Sequence, residues 1–577
     1  MKRYRLFDVL YTAILLATVW VTFICRAPYR LEFKEQISIF LFDADRISWY
    51  LSNPAVVASV AGDWLTQFYV NGKVGAVLSA LLLVLTVLGL ERFLKQSEPK
   101  RPSCMLLLAV PVMLEGYFIP FPNYPVSATL GLAFAVWMGF LLACIKNHKY
   151  SSVVYGLAVP VMYVAVGEHA LTLALMLGFL KRRDGVTSLF YLVAGVFLML
   201  MCGRFYNLSF LGTLIWPVCP DYINPGNTLL LIQPWCILAA LILSLFYSKI
   251  KESGWIVGVN TFILGFCCSV FWISGKDNME NIVKIGSLAY KNEWKEVKKM
   301  AAEPGFYSSY YWNLCNAREG RLADELLKGQ WGNTSDGLFL STGRGDPYFS
   351  MMYFTDMLLE IGDVSQATDC ALLAQTILPG HYSSRMLRRL VEIAVVTGDY
   401  NVASKYLNIL SRTRNHRTWA ENLLKCIEYD DIPDEYLVWR SRTVANDRFF
   451  AQGDIRSSLE IISSESPYNK VAIDYLLCSC LIDKKVNTFI SLYDKYYLDG
   501  LDQIVSVPVL YQEALLVNVT SKESLKEIVE RYHISAKVVN TFTTLMDTRA
   551  RENDSSVLTQ EVLGSYWHYL MAVRFNN

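Results

Sequence analysis

The feature that most constrains this chain is a change of character at about Gly275. Before it, apolar stretches recur that are long enough to cross a bilayer, which takes about 20 residues of helix. After it, no such stretch occurs. The sequence therefore predicts an all-α protein in two parts. Residues 1–275 form a polytopic transmembrane domain, and a soluble helical part follows. Charged residues make up 18% of the 577, against about 25% in an ordinary soluble domain, and the deficit lies in the first part. Net charge is +1, so there is no basic field for nucleic acid, and none is expected as a partner.

The first apolar run, Phe7 to Cys25, follows Lys2, Arg3 and Arg5 and could pass for a signal peptide. It is long enough to span, and Arg26, Pro28 and Arg30 stand where a small-residue cleavage site would be, so it reads as a retained first helix. Further candidate spans fall at roughly 74–93, 103–119, 123–145, 151–166, 168–181, 186–203, 228–247 and 254–274, about nine crossings in all. The pair at 151–181 is short-membered and interrupted by Pro160, so it crosses twice or dips in and returns. The connections 91–101, 146–150, 181–185 and 248–253 are short and rich in Lys and Arg. Those at 116–125, 167–170 and 204–227 hold Arg204 as their strong cation. Short basic loops stay cytoplasmic. This predicts a bacterial inner membrane protein with a cytoplasmic N-terminus, and it puts both a long first loop (26–73) and the C-terminal part in the periplasm.

The soluble part repeats a pattern of helix, Gly-containing turn and second helix. The segments are YYWNLCNAREGRLADELLK (310–328), YFTDMLLEIGDVSQATDCALLAQ (353–375), RLVEIAVVTGDYNVASKYLNIL (389–410) and RFFAQGDIRSSLEIISS (448–464). Their turn glycines are Gly320, Gly362, Gly398 and Gly453, the middle two about 36 residues apart. Gly ends a helix cheaply in the left-handed conformation. The Asp after it (Asp363, Asp399, Asp454) can cap the next helix. Ala367, Ala371, Ala374 and Ala403 let paired helices approach. These segments resemble a divergent tetratricopeptide-type solenoid over 276–504, whose repeat is ~34 residues. Residues 505–577 would form a C-terminal helical cap. A generic antiparallel bundle is the alternative. Cys315, Cys370, Cys426, Cys478 and Cys480 show no disulfide spacing and read as small buried hydrophobes. Tyr307, Tyr310, Tyr311 and Trp312 read as packing between the first helices.

Chemistry has two candidate locations. The first loop carries Glu32, Glu35, Asp43, Asp45 and Asp63 among Phe40, Leu41, Phe42, Trp49, Trp64, Phe68 and Tyr69. The mix suits an amphipathic helix lying on the membrane face, where such carboxylates would be ordinary surface charge. The second location is Glu168-His169 at the apex of the 151–181 pair. Ionisable groups at membrane depth are candidates for function, and His can shuttle protons; the plainer reading is a solvated hairpin tip. Phosphate-loop, nucleophile-elbow and zinc-protease motifs are absent from the sequence.

A long first exported loop bearing acids, many short-looped helices and a soluble exported C-terminal domain resemble a membrane glycosyltransferase of the C superfamily. That resemblance implies a lipid-linked sugar donor, membrane lipid as partner, and an early-loop carboxylate acting as base or holding a divalent cation. Carried onto this chain, Glu35, Asp43 or Asp45 would take the role. The loop lacks an adjacent acidic pair, Asp43-Ala44-Asp45 being the nearest approach, and only Arg46 and Arg204 stand ready to grip a pyrophosphate. The layout is also similar to bacterial inner-membrane proteins with helical repeat tails. On that reading the chain is a non-catalytic anchor whose exported solenoid binds an envelope protein. A transporter using Glu168 and His169 is the third reading.

Overall fold

The structure is a computed structural model of the chain. It describes residues 2–99, 104–145, 148–182, 185–218, 227–250, 261–265, 267–269, 278–328, 337–340, 347–378, 382–444, 455–498, 507–552 and 562–572. Gly275, Gly453 and Asp454 lie outside them. Among the described residues every regular element is helical. Two compact units are present. One comprises Met1–Lys284 with two short pieces from later in the chain, Tyr382–Ser384 and Arg412–Arg417. The other comprises Ile285–His381, Arg385–Ser411 and Thr418–Asn577.

The first unit is built from α1 (Lys2–Arg26), α2 (Pro28–Gln36), α3 (Ala44–Leu51), α4 (Val56–Thr66), α5 (Gly72–Ser97), α6 (Met105–Phe118), α7 (Val126–Ala143), α8 (His148–Val166), α9 (Ala170–Leu180), α10 (Gly185–Phe205), α11 (Phe210–Ile215) and α12 (Asn227–Ile250). Five helical stretches are long and apolar enough to cross a membrane: Val9–Arg26, Gly72–Ser97, Val126–Ala143, Val154–Leu180 and Leu229–Phe246. They mark the chain as a membrane protein. Met105–Phe118 and Leu189–Phe205 are shorter apolar helices beside them.

Val154–Leu180 is two antiparallel arms rather than one rod. The ammonium of Lys181, just past α9, sits 5.5 Å from the Tyr155 ring near the start of α8. The fold-back occurs at Gly167, whose φ of +72° admits no side chain comfortably. The sequence left a double crossing or a dip and return open, and the antiparallel arms are common to both. This fixes the ends of the other helices. Near Lys181, Tyr155 Oη donates to the Leu142 carbonyl at 3.0 Å, Arg182 pairs with Glu98, and the Phe93 and Phe179 rings are 6.1 Å apart. The basic connections after α5, α7 and α9 therefore share one end of the helical bundle. The hairpin tip lies at the other, where Glu168 N donates to the Trp216 carbonyl at 2.8 Å. Residues 261–265 and 267–269 run parallel to α1, with Tyr11 near Thr261 and Thr18 near Cys268.

In the second unit the turn chemistry appears as the sequence requires. Gly320, Gly362 and Gly398 have φ of +70°, +88° and +79°. Asp363 caps Val364–Ile377 by accepting from Gln366 N at 3.0 Å, and Asp399 caps Tyr400–Leu410 by accepting from Val402 N at 3.3 Å. Ala367, Ala371, Ala374 and Ala403 are fully buried. Tyr310 and Tyr311 pack against the helix Pro347–Ile361, donating to the Tyr353 carbonyl at 2.7 Å and to Asp356 Oδ2 at 3.0 Å. Cys315, Cys478 and Cys480 are buried free thiols, and Cys370 and Cys426 are half-buried ones.

The two central glycines separate conformational strain from crowding. A Cβ on Gly398 would meet open space, whereas one on Gly362 would run into the Arg442 carbonyl. G398A should cost about 1–2 kcal/mol, the left-handed penalty alone. G362A should cost clearly more. Denaturant unfolding of the full chain in detergent measures both, and equal losses would contradict the crowding.

Candidate functional site

The site grows from α2, PYRLEFKEQ, a helix rich in charge in which Arg30 through Gln36 are all buried. Pro28 opens it, as proline can where the amide needs no partner. Glu280 closes its N-terminus, accepting from the amides of Tyr29 at 2.9 Å and Arg30 at 3.2 Å. A carboxylate suits the positive end of a helix. The expectation of an amphipathic helix on the membrane face fits α3 and α4 better, where Phe42, Leu51 and Trp64 are exposed. The reason α2 goes inside is that its charges are met one by one.

On one face of α2, Lys34 reaches the carbonyl of Phe121 at 2.9 Å and that of Tyr124. Burial lowers its pKa to about 7, against the pull of nearby Glu115. Glu115 is fully buried in α6 and accepts three hydrogen bonds: Tyr124 Oη at 2.8 Å, Thr129 Oγ1 at 2.6 Å and Gln233 Nε2 at 2.9 Å. Loop 119–125, α7 and α12 are thereby gathered on one carboxylate. Glu115 was visible in the sequence as the one acid in its apolar segment. Gln233 carried no comparable signal.

On the other face, Glu35 Oε1 accepts from Asn415 Nδ2 at 3.0 Å and lies 3.2 Å from His416 Nε2. Asn415 also donates to the Gln67 carbonyl at 2.8 Å. Ser384 Oγ donates to the backbone carbonyl of Glu35 at 3.0 Å. These groups surround a partly open cleft, completed by Ser38, Ile39, Phe40 and Thr413, with enclosed room for about one water molecule. That is far below the roughly 300–1,000 Å³ of a typical ligand pocket, so it admits at most a reacting group and not a whole substrate. Arg414, between two lining residues, is exposed and stacks at 4.4 Å on Phe68. With Arg412 and Arg417 it makes the segment RTRNHR a cationic rim. Sequence reading passed over this segment because its neighbours in space lie nearly 350 positions earlier.

The structure separates the remaining candidates from Glu35. Asp43 is the N-cap of α3, accepting from Arg46 N at 2.9 Å. Asp45 is exposed in the first turn of the same helix. Arg46 is committed to Asp63 at 2.9 Å and lies 4.2 Å from the Trp49 ring. Glu168 and His169 are 5% and 1% exposed, so the hairpin tip is not solvated. No group of three or more His, Cys, Asp or Glu side chains that could hold a metal occurs among the described residues. Glu35, Asp43 and Asp45 do not converge into such a group.

One family spans both units, matching residues 2–573. The chain belongs to the family of unknown function DUF6057. No curated protein and no solved structure matches it.

The Lys34–Glu115 pairing makes a stability prediction. Lys34 is bonded to the Phe121 and Tyr124 carbonyls and feels Glu115 electrostatically, and leaving buried groups of this kind unsatisfied costs about 1–3 kcal/mol each. K34M should destabilise the full chain in detergent by that order, and E115Q in the same background should recover part of the loss. A double-mutant cycle with purely additive effects would contradict the coupling.

Proposed function

We propose that this membrane protein is a lipid-carrier-dependent, glycosyltransferase-like envelope enzyme, with Glu35 as its base. The observation that carries the reading is the position of the Glu35 carboxylate. It opens onto a cleft beside an imidazole 3.2 Å away and next to a loop bearing Arg412, Arg414 and Arg417. A carboxylate within reach of an acceptor hydroxyl can take its proton as the oxygen attacks the sugar carbon. The donor's phosphate then departs on its lipid, and guanidinium groups suit that oxyanion because they bind phosphate in a planar, two-pronged way. His416 orients Glu35 and stabilises its charge. Ile39 and Phe40 supply the apolar wall a lipid-borne group would lie against. The basic connections after α5, α7 and α9 would face the cytoplasm of a bacterial inner membrane, which puts α2 and its cleft on the periplasmic side.

A second reading is favoured by the bonds that hold Glu35 in place. Its carboxylate holds Asn415 and His416, and Ser383 and Ser384 donate to the carbonyls of Gln36 and Glu35. The same network would serve as a clamp in a non-catalytic anchor whose tetratricopeptide-like tail binds an envelope protein.

A deletion strain complemented with variants, its envelope glycans profiled by mass spectrometry, separates the two. Under the enzyme reading E35Q abolishes the glycan product with normal expression, because Gln keeps the hydrogen bonds and loses the base. D45A is silent, and D43A costs only about 1 kcal/mol of helix capping. Wild-type glycans from E35Q, together with faster protease nicking at 412–417 in H416A, would favour the anchor.

A further inference from the structure

The hairpin tip of the membrane unit holds ionisable groups that the Glu35 cleft does not use. Glu168 and His169 sit in the short turn between α8 and α9, and Thr172 follows one turn later. All three are buried. Glu168 Oε1 and Thr172 Oγ1 have no hydrogen-bond partner among the described residues, and His169 Nε2 stands 3.5 Å from Glu168 Oε1. A buried polar atom without a partner costs about 1–3 kcal/mol, so a carboxylate oxygen left so calls for a ligand.

The surrounding charge says which ligand. Elements packed on the tip bring few titratable groups. Glu115 of α6 and Tyr124 of the following loop interact electrostatically with Glu168, and Tyr163 of α8 lies nearby. From α7 the neighbours are the backbone of Ala128 and the Cα of Gly131, which are uncharged. Lys34 is turned to Glu115, which also accepts three hydrogen bonds, whereas Glu168 Oε1 has no hydrogen-bond partner among the described residues. With Lys34 spent on Glu115, an ionised Glu168 would be an unpaired buried charge, which proteins avoid by neutralising the group. No group of three metal-ligating side chains is assembled here among the described residues.

We propose that Glu168 and His169 form a proton-binding site inside the membrane unit, taking one proton from, and returning it to, the end of the bundle where α2 lies. The proton on the Glu168 carboxyl passes to His169 Nε2 across the 3.5 Å gap when the tip relaxes by a few tenths of an ångström, and no bond other than O–H and N–H is made or broken. Nothing in this depends on Glu35, so the site gives the unit a proton-coupled activity separate from group transfer.

Dicyclohexylcarbodiimide tests it, because it attacks protonated carboxyl groups in apolar surroundings. The full chain is reconstituted in liposomes, labelled between about pH 5 and 10, a range that covers buried carboxyls titrating as high as about 8–9, and mapped by peptide mass spectrometry. Expected are labelling at Glu168 with none at Glu115, a fall in labelling as pH rises, its loss in E168Q, and a displaced midpoint in H169N. Unlabelled Glu168 at every pH in the wild-type protein overturns the proposal, as does labelling indifferent to pH. Protection by sodium at constant pH overturns it in favour of a sodium site. The wild-type result stands even if E168Q fails to fold.

Discussion

A buried helix carrying two cations, two carboxylates and a glutamine is the constraint on which the membrane unit depends. Charges so placed are costly unless each is matched, and α2 matches them in three directions. Glu280 answers Arg30 and the helix N-terminus. The carbonyls of Phe121 and Tyr124, with Glu115 behind them, answer Lys34. Asn415 and His416 answer Glu35. Each match recruits a segment far away in sequence. A helix that must satisfy all three cannot shift register without stranding a charge, so its burial specifies an arrangement more than it adds stability.

The close approach of α2 to α5 follows from the same demand. Gly72, at the start of α5, has no room for a Cβ because the Pro28 carbonyl lies against it. Gly62 meets the backbone of Ser127 in the same way, drawing α4 onto α7. Small residues let helices meet closely where lipid offers no hydrophobic drive for packing. The apolar spans therefore supply the material of the unit, while small residues and the charged helix decide which spans are neighbours.

What could be read from sequence was what local pattern encodes. Apolar length suggested about nine crossings, and five stretches among the described residues are long and apolar enough to span. Gly362-Asp363 and Gly398-Asp399 announced turn and cap because each acts within four residues. The burial of α2 was not legible, since PYRLEFKEQ looks like a surface helix until its partners are known. Those partners, Gln233, Asn415 and His416, are polar residues whose significance comes from position in space. Glu115 was legible in principle: a lone acid in an apolar segment is expensive wherever it sits.

The same reasoning explains why the acids of one loop come to differ so widely. Asp43 lies just before a helix, where its side chain is consumed by the Arg46 amide. Asp45, two residues on, points to water. Glu35 lies at the end of a helix whose opposite face is locked by Lys34, so its carboxylate is held at one depth and presented to a cleft. Glu115 is surrounded by donors and Glu168 is not, although both sit at the same end of the bundle. A carboxylate with every lone pair engaged is fixed in charge and serves as scaffold. Glu168 instead keeps a buried carboxylate oxygen without a hydrogen-bond partner among the described residues.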